Sequence, residues 1–274
     1  QRGSDSAVVT GASSLKGIGY HTALRYAQEG WAVALMDVNA TGLACAAEEL
    51  AKQVPDAPIT TAVVDITDPA SVADAVAAVA ASGLPPVGAL ANVAGIPAPA
   101  SFLELTLADW NRCLTVNLTG AFLMAQAFLP QMIEGGYGRI VNMSSVTAQH
   151  GGGVFSKTAY AAANAGVLGL TRGIAREFAS YGITCNAVAP GVVDTDIRAG
   201  ATDDETERRL AEAVPLKRQG QPWEIAALVV WLSSEDSAYI TGTTQSMGLS
   251  PWGETPDTQV VASIAVRRWS SWAL

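Results

Sequence analysis

Short runs of apolar residues alternate along this chain with longer helical patterns. The runs are Ala7-Val8-Val9-Thr10, Ala32-Val33-Ala34-Leu35-Met36-Asp37, Thr61-Ala62-Val63-Val64-Asp65, Gly88-Ala89-Leu90-Ala91-Asn92, Arg139-Ile140-Val141-Asn142-Met143 and Thr184-Cys185-Asn186-Ala187-Val188, with a seventh near Thr243 to Met247. Strands that are apolar on both faces belong in a parallel sheet covered on both sides. Between the runs, the pattern predicts helices from a Gly-rich turn to about Glu29, over about 41–53, 69–81, 106–131 and 222–232, and one that carries Tyr160. Strand–helix alternation with right-handed crossovers predicts an α/β fold, a doubly wound parallel sheet of about seven strands with helices on both faces.

No internal repeat and no Pro/Ser linker breaks this order, so residues 1–274 are expected to form one nucleotide-binding domain. Residues 1–5 read as an N-terminal tail and 249–274 as an extension of different character. There Pro251, Gly253 and Pro256 interrupt the chain and Trp252, Trp269 and Trp272 make it aromatic. Such a segment either packs on its own core or serves a subunit interface.

Composition narrows the partners. With 274 residues and 49% hydrophobic content the chain can bury a large core. A net charge of −9 with scattered Lys and Arg disfavours nucleic acid or an anionic membrane surface. Cys45, Cys113 and Cys185 lack metal-ligand or redox-pair spacing and read as reduced thiols, so no metal is expected. Gln1 to Asp5 holds no signal-peptide run and no stretch of 18 apolar residues follows, so the expectation is a cytoplasmic protein with no membrane partner.

The candidate chemistry begins after the first strand, at Thr10-Gly11-Ala12-Ser13-Ser14-Leu15-Lys16-Gly17-Ile18-Gly19. Glycines allow a tight turn and close approach to a pyrophosphate, and the helix that follows offers unpaired N–H groups and a partial positive charge. The spacing of Gly11, Gly17 and Gly19 is longer than the usual dinucleotide fingerprint, which predicts a bulged loop. Asp37 ends the second strand, where a carboxylate accepts from both ribose hydroxyls and repels a 2′-phosphate; this favours NAD over NADP, against the opposite pull of Lys16. Asp65 can accept from the adenine amino group, or Asp65 or Asp68 can cap a helix. Asn92-Val93-Ala94-Gly95 closes the fourth strand beside the cleft, with Asn92 read first as a tie between strands.

Tyr160-Ala161-Ala162-Ala163-Asn164 adds a proton-transfer candidate, because residues i and i+4 of a helix share a face. Together with Asn117, Ser144-Ser145 and Pro190-Gly191-Val192-Val193-Asp194-Thr195, these motifs resemble, in order, those of the short-chain dehydrogenase/reductase family, from about residue 6 to 248. The resemblance implies a Rossmann-type domain, a homotetramer or dimer, moving hydride between a nicotinamide and a secondary alcohol or ketone. It makes Tyr160 the general acid/base, Ser145 the substrate-oxygen donor and Asn117 the holder of a relay water. It puts Ser13, Ser14, Ile18, Ile66, Asn92, Ala94 and Gly95 at the cofactor, Pro190 and Gly191 around the nicotinamide, and Val193 and Thr195 at its carboxamide.

The same resemblance places Asn164 where the family carries a lysine. Without that cation the phenol is expected to titrate closer to its ordinary value near 10. Two further departures stand beside it. Ser145 and Tyr160 are fifteen positions apart, two more than is usual, with Gly151-Gly152-Gly153 to absorb the excess and Ser144 as the alternative serine. Lys157 and His150 lie nearby and read either as surrogate groups or as a helix-entry lysine and an incidental loop histidine. The substrate pocket is expected from residues 146–156, the loop after Pro190 and the charged segment from Thr195 to Gln219, which reads as a mobile amphipathic lid or as a solvated helix. The leading expectation is a slowed or alkaline-shifted NAD-dependent oxidoreductase. The alternative is a nucleotide-binding regulatory or scaffolding protein that kept the fold; a methyltransferase would leave Tyr160 and Pro190-Gly191 without a role.

Overall fold

The computed structural model describes residues 5–153, 156–198 and 202–248, so the Trp-rich extension lies outside the described residues. Seven strands, β1 (Ser6–Thr10), β2 (Ala32–Asp37), β3 (Ile59–Val63), β4 (Val87–Asn92), β5 (Gly138–Met143), β6 (Ile183–Pro190) and β7 (Thr244–Met247), form one sheet. Their order is β3-β2-β1-β4-β5-β6-β7, and every pairing is parallel. The doubly wound Rossmann-type sheet expected from the apolar runs is therefore present. The order reverses between β1 and β4, and in such sheets ligands bind beyond the strands' carboxyl ends at this switch point.

Helices cover both faces. On one side α1 (Ile18–Gln28), α2 (Ala40–Gln53) and α9 (Pro222–Leu232) bury Tyr26, Leu43, Leu50, Ile225 and Val229 against β1, β2 and their neighbours. On the other, α3 (Pro69–Ala81), α5 (Gly120–Gly135) and α7 (Thr158–Phe178) bury Val72, Val79, Met124, Phe128, Met132 and Ile174. Each fully buried Leu, Met or Phe contributes about 1.5–3 kcal/mol relative to exposure, so the two layers hold the sheet rigid beneath its carboxyl edge.

The structure departs from the sequence expectation in two informative places. The third strand runs over Ile59–Val63 and stops before Asp65, because the backbone there turns to side chains. The Asp65 N–H donates to Ser71 Oγ (2.9 Å), and the Asp65 carboxylate accepts from both the N–H and the hydroxyl of Thr67 (2.9 and 2.6 Å). The long helix over 106–131 is three pieces: α4 (Leu107–Leu114), a π-helical turn Thr115–Thr119, and α5. Among the described residues, the run 107–135 is the one helix long and apolar enough to cross a membrane, and here α5 lies against β4, β5 and α3.

Candidate active site

The Gly-rich turn after β1 is built for close backbone contact. Gly11 adopts φ +68°, and a Cβ there would lie 2.8 Å from Ala94 Cα. A Cβ on Gly19 would meet the Gly11 carbonyl oxygen at 2.1 Å. The Thr10 hydroxyl accepts from the N–H groups of Val93 and Ala94 (3.0 and 3.1 Å), binding the ends of β1 and β4 together. The first-turn N–H groups of α2, α3, α4 and α8 (Asp204–Ala213) are engaged by Asn39, Asp68, Thr106 and Asp203. The N-cap of α1 is Gly17, with no side-chain cap, so its N–H groups remain available to an anion. A cradle that a single methyl would fill, next to uncapped donors, fits a dinucleotide pyrophosphate.

Asp37 stands at the far end of this cradle. Its carboxylate accepts from the N–H groups of Ser13 (3.1 Å) and Asn39 (3.0 Å), which aims it beside the turn. Ser14 is drawn the other way, donating its hydroxyl to Asp196 at 2.5 Å. Lys16 is exposed. The Asp65 carboxyl is held below its usual range by the Thr67 hydroxyl and N–H bonds, and helix α3 is capped by Asp68 instead. Ile66 is buried in the core, where it covers Gly120. Asn92 donates to Asn142 Oδ1 (2.9 Å) and to the Ala121 carbonyl (3.3 Å), tying β4 to β5 and α5.

Beyond β4, β5 and β6 opens a cavity of about 630 Å³. It brings together Ile18, Ala94, Gly95, Asn117, Ser145, Tyr160 and Asn164 with Pro190, Gly191, Val193 and Thr195. Asp65 and Ile66 lie outside its lining, as do Gly11, Ser13, Ser14, Gly17, Gly19, Asp37 and Asn92, which belong to the turn and strand ends described above. Asn117 sits in the π-helical turn, a distortion common at functional sites. Its amide oxygen accepts from Ile96 N–H (2.8 Å) and its nitrogen donates to the Ile96 carbonyl (3.0 Å) and the Cys113 sulfur (3.2 Å). A Cβ on Gly95 would meet that oxygen at 2.7 Å.

Tyr160 lies in the first turn of α7. Burial pushes its phenol above the ordinary value; the nearby Ser145 hydroxyl pulls it down, Cys113 adds to the rise, and the Asn164 amide, last in weight, lowers it. Asn164 is 3% exposed, and its amide donates to the Tyr160 main-chain carbonyl at 2.9 Å, so its hold on the phenol is the weaker one. The two serines divide their tasks. Ser144 donates to the Asn164 carbonyl (3.0 Å), whereas Ser145 faces the phenol and accepts from Thr147 N–H (3.2 Å).

No lysine lines the cavity among the described residues. Lys157 precedes α7, its N–H on the Ala98 carbonyl (3.0 Å), and the Glu104 carboxylate feels its charge. His150 ends a short helical turn, α6 (Thr147–His150), and does line the cavity.

The loop after Pro190 and the segment from Thr195 to Gln219 form the far wall, as expected from the sequence, through bonds that the sequence does not show. Past β6, Gly191 N–H donates to the Met247 carbonyl (2.7 Å), and a Cβ there would meet the Gly248 oxygen at 2.4 Å. Arg198 donates through Nε and Nη2 to both carboxylate oxygens of Glu207 (3.0 Å each) and to Gln219 (2.9 Å). These bonds, with one from Thr202, hold the Glu207 carboxyl down at about 2. Thr206, Arg209, Leu210 and Ala213 turn one face of α8 into the cavity. Their i, i+3, i+4, i+7 spacing was the available signal, hidden among the charges of Asp203 to Arg209.

Residues 11–247 match a protein-family model described as enoyl-(acyl carrier protein) reductase. An uncharacterized short-chain type dehydrogenase/reductase of Sinorhizobium fredii is 40% identical over 237 residues, covering 86% of this chain and 93% of that protein. The chain belongs to the short-chain dehydrogenase/reductase family. Within this oxidoreductase family, it is also 36% identical to levodione reductase of Leifsonia aquatica, over 86% of this chain and 90% of that one. A crystal structure of levodione reductase superposes with a TM-score of 0.82 at 32% identity, covering 89% and 96% of the two chains. As a short-chain dehydrogenase/reductase, the chain is an enzyme acting on CH–OH or keto groups with a nicotinamide cofactor.

Proposed function

We propose that this protein is an NAD-dependent dehydrogenase/reductase of secondary alcohols and ketones, with Tyr160 as general acid/base and Asn164 in the position of the family's lysine. The observation that carries the reading is that Tyr160 and Ser145 line one cavity, which opens beside the glycine cradle and beyond the end of β6. The cradle's Gly11, Gly17, Ile18 and Gly19 would hold the pyrophosphate, with Ser13 and Ser14 at its edge, and Asp37 would take the ribose hydroxyls and exclude a 2′-phosphate. Pro190, Gly191, Val193 and Thr195 would shape the nicotinamide pocket. The bound nicotinamide supplies hydride transfer, two electrons and a proton equivalent exchanged with the substrate's carbinol carbon.

This chain's residues manage the proton. Ser145 donates to the substrate oxygen and holds it near Tyr160 Oη. In oxidation Tyr160 Oη takes the hydroxyl proton, and in reduction it gives one. Asn117, locked onto Ile96, keeps the path to solvent in place. Asn164 can donate to a ribose hydroxyl, which orients the cofactor without charging the phenol. With burial raising the phenol and no cation lowering it, the base form is scarce at neutral pH, so oxidation is slow there and speeds up in alkali.

NADH formation from a panel of secondary alcohols and sugars at pH 7 to 10, wild type against Tyr160→Phe, tests the reading. The expected result is turnover with NAD that the substitution reduces by about 100-fold or more while NAD still binds. Asn164 also favours a second reading, a cofactor-binding protein of the same fold with a regulatory or scaffolding task. Tight NAD binding with no turnover across the panel and the pH range would select it.

A further inference from the structure

We infer that the substrate carries an anionic group, a carboxylate or phosphate, which Arg209 on α8 binds while the reacting carbon lies at Tyr160; this rests on the oxidoreductase reading above. The cavity's described lining contains no Asp, Glu or Lys, and its charged side chains are Arg198 and Arg209. In a chain of net charge −9 this is a local reversal of sign. The two arginines have different duties. Arg198 is neutralised by its paired bonds to Glu207. Arg209 makes no ion pair or hydrogen bond among the described residues, and Asp203, the N-cap of its own helix, is the carboxylate that feels its charge, as the weakest of several influences.

The neighbouring residue shows that this is not a shortage of partners. Arg208 pairs with Glu205 and with Glu212 (3.9 Å) on the solvent side of α8. One position on, Arg209 is exposed at the cavity's opening, which it lines with Thr206, Leu210 and Ala213. Met143, Val192, Ile197 and Leu210 add apolar lining to the same cavity. The polar groups that would handle an alcohol thus share a cavity with an uncommitted, exposed guanidinium. A guanidinium fork matches a carboxylate or a phosphate in two parallel hydrogen bonds. Because α8 is fastened through Glu207 to Arg198 and Gln219, the fork is carried on a fixed element.

Matched substrate pairs test this: 4-oxopentanoate against its methyl ester, and dihydroxyacetone phosphate against dihydroxyacetone, each with NADH. The expected kcat/KM ratio, anion over neutral, is roughly ten- to a hundredfold for one pair, the size of a charged hydrogen bond. That ratio should shrink toward one in Arg209→Gln, invert in Arg209→Glu, and decline with added salt. Which pair responds decides between carboxylate and phosphate. A ratio equal in wild type and Arg209→Glu overturns the inference. Fluorescence titration of the NADH-saturated protein with the same four compounds separates the two levels. Charge-selective binding that Arg209→Glu abolishes, with no turnover, upholds the anion site at Arg209 and counts against the oxidoreductase reading. Equal binding within both pairs, or binding of none of the four compounds, overturns this one.

Discussion

Replacing Asn164 with lysine puts a cation beside the phenol. Asn164 is 3% exposed and lines the cavity, so the longer side chain can extend along the wall toward the phenol. An ammonium about 4 Å from a phenolate, at an effective dielectric of 20, is worth about 4 kcal/mol, or roughly 3 pKa units. Two effects reduce this. The variant loses the amide bond to the Tyr160 carbonyl, about 1 kcal/mol, and the lysine is itself desolvated. A weaker base also abstracts a proton less readily, which returns part of the gain. We therefore expect oxidation at pH 7 to rise roughly ten- to a hundredfold and the alkaline limb to move down by about 1–2 units. The assay is kcat and kcat/KM for alcohol oxidation from pH 6 to 10.5, with NAD affinity and melting temperature measured on the same samples. A folded, NAD-binding variant with an unmoved pH profile refutes the electrostatic argument and means that the site was rebuilt around the amide.

Other consequences follow from the same geometry. Removing the carboxylate in Asp37→Ser should cut kcat/KM for NAD by about ten- to a hundredfold, the worth of charged hydrogen bonds, and narrow the preference over NADP; an unchanged NAD/NADP ratio contradicts the ribose assignment. Gly19→Ala puts a methyl 2.1 Å from the Gly11 carbonyl oxygen. A loss of about 1–3 kcal/mol, seen as a lower melting temperature and weaker NAD binding, is expected, and a variant equal to wild type in both means that the cradle yields. The Glu207 carboxyl is depressed to about 2 from an ordinary 4.5, so the stability it contributes is present above pH 4.5 and lost as pH falls from there toward 2. Glu207→Gln should flatten that part of the melting-temperature curve; parallel curves for the two proteins count against the network's role.

The sheet was legible in the sequence because a buried parallel strand is apolar on both faces and the first six runs were each followed by a helix. What it hid were places where side chains replaced backbone partners. The third strand ended early because Ser71 and Thr67 took up the hydrogen bonds around Asp65. The π-helical turn at Thr115–Thr119 had no signature, since its composition suits an α-helix equally well. In the site, the order of motifs led to Tyr160, Ser145, Asn117 and Asn164, and all four line one cavity. The far wall was opaque because Arg198, Glu207 and Gln219 meet only through folding, and because charges on both sides of α8 masked its inward face.

That a half-buried tyrosine works as acid and base without a lysine beside it is tested by the pH dependence of wild-type kcat for alcohol oxidation with NAD. The expected profile is a single rising limb that is still climbing at pH 9 and levels off only near or above the ordinary tyrosine value of about 10. A plateau already reached below pH 8 would contradict it.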